Sequence, residues 1–187
     1  HVHPITPLLV WCPVIGFLIW RSYSVNHLSV VWMVPVVFVG IFSWTLAEYI
    51  LHRFVFHIEG KTPLTQRLHF LIHGLHHADP VDPTRLVMPP TASLFLGLVL
   101  YSLFRLPLGD TWVQPFFAGF LVGYLCYDYI HYAVHHFNPK TPLGRFLKQS
   151  HMQHHYVDPE SHWGVSSPLW DYVFGTVEVA KRKRQTA

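Results

Sequence analysis

The chain has 187 residues, of which 51% are hydrophobic and 12% charged, with a mean hydropathy of +0.27 and a formal net charge of +3. Soluble domains carry roughly 25% charged residues, so the composition argues against one and for a single integral membrane domain, 1–187. Basic charge gathers in short polar segments and in a run at 181–184; beside apolar stretches this marks a lipid-facing cytosolic end, not a nucleic-acid surface. Cys12 and Cys126 lie in apolar stretches and are too few for a disulfide framework or a zinc knuckle.

Crossing a bilayer takes about 20 apolar residues at a rise of about 1.5 Å each. Four stretches meet or approach that length: 5–20, interrupted by Pro7 and Pro13; 28–51, in which Glu48 is the one charge; 86–104; and 112–133. A short polar turn, 105–111, separates the last two. The predicted fold is therefore all-α, with four transmembrane helices in two hairpins and a cytosolic helical cap built from 52–85 and 134–187.

Orientation follows from Lys and Arg in the short loops. Arg21 and Arg105 fall on one side and the other 11 of the 13 on the opposite side, which makes the N-terminus, the middle loop and the C-terminal segment cytosolic. The expected location is a multi-pass position in the endoplasmic reticulum of a eukaryote or the inner membrane of a bacterium.

That topology brings most of the 16 histidines to one membrane face. They form four clusters: His52 and His57; His73, His76 and His77; His131, His135 and His136; and His151, His154 and His155. Helical residues three and four apart share a face, so within each of the last three clusters imidazoles can point at a common centre. His52 and His57 are five apart, which predicts that one of them lies past a helix end.

A structural zinc site needs about four ligands and a catalytic one about three. The clusters offer around ten, and two metal ions account for them economically. Imidazole suits iron, zinc, copper and nickel, and the spacing alone does not choose among them. His1, His3 and His27 read as interfacial polar groups. His69, one turn before His73, and His136, beside His135, are candidates for ligation or for hydrogen bonding to a ligand; His162 has no cluster.

Ligating histidines usually donate their other N–H to a carboxylate or carbonyl. Glu48, four before His52, and Asp128, three before His131, suit that task, with Asp171 and then Asp158 as further candidates. Arg85, at the cytosolic boundary, is placed to meet a lipid headgroup or carboxylate. Trp163 and Trp170, with Tyr172 and Phe174, form either an aromatic belt or a cover that guides an acyl chain.

The motifs HxxxxH, HxxHH, HxxxH and HxxHH in this order resemble the fatty acid hydroxylase superfamily of membrane di-iron enzymes. EYILHRFVFH, HFLIHGLHHADPVDPTRLVMPP, GYLCYDYIHYAVHH and WGVSSPLWDYVFGT narrow the resemblance to fatty acid 2-hydroxylases, which act on sphingolipid acyl chains. RLVMPP discriminates best, because sterol desaturases and carotenoid hydroxylases share the histidine spacings.

The resemblance implies O2-dependent hydroxylation at carbon 2 of a fatty acid, thioester or ceramide acyl chain, with two Fe ions that Zn can replace on isolation. Its implied ligands are His52, His57, His73, His76, His77, His131, His135, His151, His154 and His155. No HPGG motif of a fused cytochrome b5 domain is found in these residues, so electrons are expected either from a separate donor, cytochrome b5 or a ferredoxin with its reductase, or from a region outside this sequence. The alternatives are a sterol or carotenoid hydroxylase or desaturase and, outside the enzymes, a membrane metal-binding or transport protein, which would need ligands at mid-membrane depth.

Overall fold

Helix α1 covers Thr6–Ser24 and α2 covers Val30–Leu51 in the computed structural model, which describes residues 2–57 and 60–177. His1 and the basic run at 181–184 lie outside the described residues. Pro7 sits in the first turn of α1, where no N–H is required, and Pro13 is accommodated inside the helix, so the two prolines do not divide the segment as its sequence suggests.

A π-helical turn, His52–Phe56, continues α2. Helix α3, Pro63–His69, starts at a capping box made by Thr62 and Thr65. A second π-helical turn, Phe70–Gly74, leads into α4, Leu75–Ala78. Helix α5, Pro90–His136, breaks at Gly109, where φ is 68°. Helix α6 covers Pro142–Tyr156, capped by the Thr141 hydroxyl on the Gly144 N–H, and α7 covers Leu169–Phe174. Among the described residues the fold is all-α.

The chain packs as two units. The first takes His1–Trp44 and Val87–Cys126. Within it the two halves of α5 lie side by side: Phe104 is 4.9 Å from Phe116 and 5.2 Å from Phe120, ring centre to ring centre. Helix α2 approaches the second half of α5 backbone to backbone, because a Cβ at Gly119 would stand 2.0 Å from the Val37 carbonyl oxygen. Such small-residue contacts are how helices associate in lipid. Trp44 bridges Phe120 and Tyr124 at 5.1 and 5.2 Å and completes an aromatic core.

The outside of this unit is apolar: Leu9, Val31, Phe95 and Leu106 are each more than two-thirds exposed. Val30–Phe56 and Pro90–His136 are long and apolar enough to cross a membrane, with mean hydropathies of 2.1 and 1.6. Exposed apolar surface of this extent is stable in contact with lipid and unfavourable in water. The helices are consistent with those of a membrane protein.

The second unit takes Thr45–Leu86 and Tyr127–Ala187. Its small apolar core joins Val134, Leu147 and Val165. Helix α6 turns Leu147, Ser150, His151 and His154 inward, a spacing of three and four that defines one face. Every histidine predicted as a ligand belongs to this unit.

Candidate metal centre

Ten imidazoles converge as two groups of five. His52, His57, His73, His77 and His154 form the first, and His76, His131, His135, His151 and His155 the second; within each group the ligand atoms lie within 4.8 Å of one another.

Local geometry explains the membership. His52 opens a π-helical turn and His57 follows its last residue. Bonding from i to i+5 widens the turn and brings residues five apart toward one face, whereas in an α-helix they lie about 140° apart; their ring centres are 5.1 Å apart. The expectation that each HxxHH cluster serves one centre is corrected. His73 and His77 join the first group while His76 joins the second; His151 and His155 join the second while His154 joins the first. The physical reason is the turn of about 100° per residue in a helix with 3.6 residues per turn. Positions i and i+4 bracket one direction, and i+3 points about 100° away from i+4, toward a second centre.

The donor set fits metal ions and does not fit hydrogen bonds among histidines. In the second group the Nε2 atoms form a string: His131 to His76 at 3.0 Å, His76 to His155 at 3.0 Å, His155 to His151 at 3.0 Å and His151 to His135 at 2.8 Å. An imidazole nitrogen has either one hydrogen or one lone pair, so a nitrogen with two such neighbours cannot satisfy both. A cation among them satisfies all five. For a metal–nitrogen bond of about 2.1 Å, ligands at right angles stand about 3.0 Å apart and opposed ligands about 4.2 Å. In the first group His73 and His77 approach to 3.0 Å, and His57 and His154 to 3.2 Å.

Burial keeps these rings neutral, the form that binds metal. It lowers His57 and His154 to about 3, His77 to about 4 and His76 to about 2, with the charges of neighbouring histidines adding to the effect in each case. His73, His151 and His155 are lowered from the same causes.

The remaining candidates take varied positions. His136 lies outside both groups, its ring 4.4 Å from that of Tyr132, and His69 lies outside them at the end of α3. Asp128 is buried, but among the described residues neither its Oδ2 nor Nδ1 of His131 has a hydrogen-bond partner, so the expected bond between them is not formed. Glu48 does not hold His52 directly; its carboxylate accepts the N–H groups of Val165 and Ser166. Asp171 accepts those of Trp163 and Gly164. Asp158 accepts the Glu160 N–H in a surface turn. Arg85 is ion-paired with Asp82 at 2.9 Å and Asp79 at 3.6 Å.

Trp163 is 5% exposed, with its ring against His52, His57 and His154. Trp170 donates its indole N–H to Thr45 and stacks on Phe174. Sequence reasoning missed two backbone groups: the carbonyls of Trp163 and Ser161 receive Nδ1–H from His52 and His154. Carbonyls leave no side-chain signature, and only the Gly, Ser and Pro content of HWGVSSP marks an irregular segment there.

The family model "Fatty acid hydroxylase" matches residues 37–176, a stretch that holds all ten converging histidines. The chain belongs to the fatty acid hydroxylase family. It is 41% identical over 177 residues to Dihydroceramide fatty acyl 2-hydroxylase FAH1 of Arabidopsis thaliana, covering 95% of this chain and 74% of that protein. Ceramide very long chain fatty acid hydroxylase SCS7 of Saccharomyces cerevisiae is 40% identical, with 90% of this chain and 44% of that one aligned. For the human Fatty acid 2-hydroxylase the identity is 35%, with coverages of 95% and 53%.

This hydroxylase domain thus spans about three quarters of the plant relative and about half of the yeast and human ones. A solved structure described as full-length scs7p with only the hydroxylase domain visible superposes with a TM-score of 0.87 at 38% identity, over 94% of this chain and 66% of that one. Membership makes the chain an enzyme of the fatty acid hydroxylase family, with two histidine groups able to hold metal.

Proposed function

We propose that the protein hydroxylates carbon 2 of a long fatty acyl chain carried by a ceramide-type lipid, using two iron ions held by the ten converging histidines. The observation that carries this reading is the pair of five-imidazole groups in a chain whose relatives bear 2-hydroxylase names. Side-chain acids and bases cannot insert an oxygen atom into the C–H bond at carbon 2, which is an oxidation; two iron ions held by these histidines would supply O2 activation. Conversion of C–H to C–OH with one O2 consumes two electrons and two protons and leaves one water, so a separate electron-transfer protein, cytochrome b5 or a ferredoxin with its reductase, completes the reaction.

The chain's own residues contribute geometry. Buried, neutral imidazoles offer lone pairs at Nε2, and the Trp163 ring closes one side of the first group against water. The same reading gives four membrane crossings, near 6–24, 30–51, 90–108 and 110–136, with the histidines at the cytosolic side. It is supported by the apolar outer surface of those helices and by the 11 of 13 basic residues assigned to that side.

Expression in a host that lacks 2-hydroxylated sphingolipids tests the proposal by lipid mass spectrometry. A gain of one oxygen, located at carbon 2 by fragmentation and absent with His76→Ala, is the expected result. Oxygen on a sterol or carotenoid instead would replace it.

A further inference from the structure

Four consecutive backbone N–H groups, 163–166, are collected by two buried carboxylates. Asp171 Oδ1 accepts the N–H of Trp163 at 2.9 Å and the hydroxyl of Thr176 at 2.7 Å, and Oδ2 accepts the N–H of Gly164 at 2.8 Å. Glu48 Oε1 accepts the N–H groups of Val165 at 2.6 Å and Ser166 at 2.8 Å, and Oε2 the Ser166 hydroxyl. Glu48 is 3% exposed and Asp171 0%. The segment has no helix or strand to hold it, and at Gly164 it passes so close to the Ser167 carbonyl that a Cβ would stand 2.1 Å away. The carboxylates therefore fix its path.

From the same segment come the two carbonyls that meet ligands: Trp163 O receives His52 Nδ1–H at 2.5 Å, and Ser161 O receives His154 Nδ1–H at 2.7 Å. Both histidines belong to the first group. In the second group, Nδ1 of His76, His131, His151 and His155 is buried without a protein partner among the described residues. The two groups have the same number of imidazoles and different outer support.

We propose that Glu48 and Asp171 are positioning residues for one metal ion only, the ion bound by His52, His57, His73, His77 and His154, acting through the 161–166 segment. The inference rests on the two-ion reading above. A carbonyl on Nδ1–H fixes the tautomer that leaves the Nε2 lone pair for metal and makes that lone pair more basic; losing such a partner typically costs about 10- to 100-fold in affinity. In Asp171→Asn one acceptor becomes a donor that opposes a backbone N–H, which displaces the segment and both carbonyls. The second group has no ligand attached to this segment.

Chelator competition on the purified full chain, loaded anaerobically with Fe2+ and followed as metal per chain by mass spectrometry, tests this. The wild type is expected to hold two ions. Asp171→Asn should hold one as tightly as the wild type and bind the other about 10- to 100-fold more weakly. His135→Ala, which breaks the second group, should retain one ion, and adding Asp171→Asn should loosen that one too. His57→Ala with Asp171→Asn should instead still retain one tight ion.

Ser166→Ala removes a single hydroxyl donor to Glu48 and leaves the backbone bonds in place, so it reports even if Asp171→Asn fails to fold. It should hasten release of the same ion by a smaller factor. Equal loss of both ions in either folded variant, or unchanged release of both, overturns the proposal. A wild type that binds a single ion overturns the two-ion reading itself.

Discussion

His76 and His155 are 79 positions apart in the chain, yet their Nε2 atoms stand 3.0 Å from each other. Each comes from an HxxHH cluster that is split two to one: His73 and His77 serve the first group and His76 the second, whereas His151 and His155 serve the second and His154 the first. The single histidine of one cluster thus completes the pair contributed by the other. Neither cluster builds a site by itself.

Interleaving of this kind has a stoichiometric consequence. His76→Ala should lower bound metal from two ions to about one and abolish hydroxylation, and His154→Ala should do the same through the other group. His27→Ala should leave both metal and turnover as they are, since His27 belongs to neither group. Elemental analysis alongside product formation checks all three, and a loss at His27 comparable to that at His76 would place the centre elsewhere.

Acid should destabilise the metal-free protein in a definite window. In the unfolded chain histidine titrates near 6.5, whereas burial holds His57 and His154 near 3 and His77 near 4 in the folded one. Between those values the unfolded state binds more protons, so stability is complete above about pH 6.5 and falls as pH drops toward about 4. Protons compete for the lone pairs of the folded protein only at lower pH, as it approaches about 4 and then 3. Thermal melts of the chelated protein from pH 8 to 4 should show a declining midpoint, and a flat profile would contradict the burial of these rings.

Asp128 differs from Glu48 and Asp171 in its contacts. Among the described residues neither its Oδ2 nor Nδ1 of His131 has a hydrogen-bond partner, so Asp128→Asn should change metal affinity less than twofold. A loss of tenfold or more would show that Asp128 reaches a ligand in the metal-loaded state.

Helix packing gives a prediction about folding alone. At Gly119 a Cβ would meet the Val37 carbonyl oxygen at 2.0 Å, so neighbouring backbone must shift to admit one. Gly119→Val should cost about 1–3 kcal/mol, the usual penalty for overpacking, read as a lowered unfolding midpoint in detergent.

Topology is open to chemical labelling. Cysteines placed at Lys61 and Lys148 should react with a membrane-impermeant thiol reagent only once the membrane is opened, and one at Asp110 should react from the opposite side. Labelling of Lys61 and Lys148 from opposite faces would be incompatible with a shared centre.

The helical class, the apolar segments and the candidate metal ligands are legible in the residues alone, because hydropathy over about 20 residues and the excess of imidazole are properties of composition and local spacing. Local spacing also explains why His73 pairs with His77 and His151 with His155. Three-dimensional packing sets the crossing of His76 and His154 to the other group, since that depends on where helices distant in sequence bring their faces. It alone decided that His52 and His57 share a centre, through a π-helical turn with no marker in HRFVFH. The contacts of Glu48 and Asp171 are of the same kind. A carboxylate that binds backbone N–H groups, which in turn position carbonyls, acts through atoms every residue has, and no pattern of side chains can announce it.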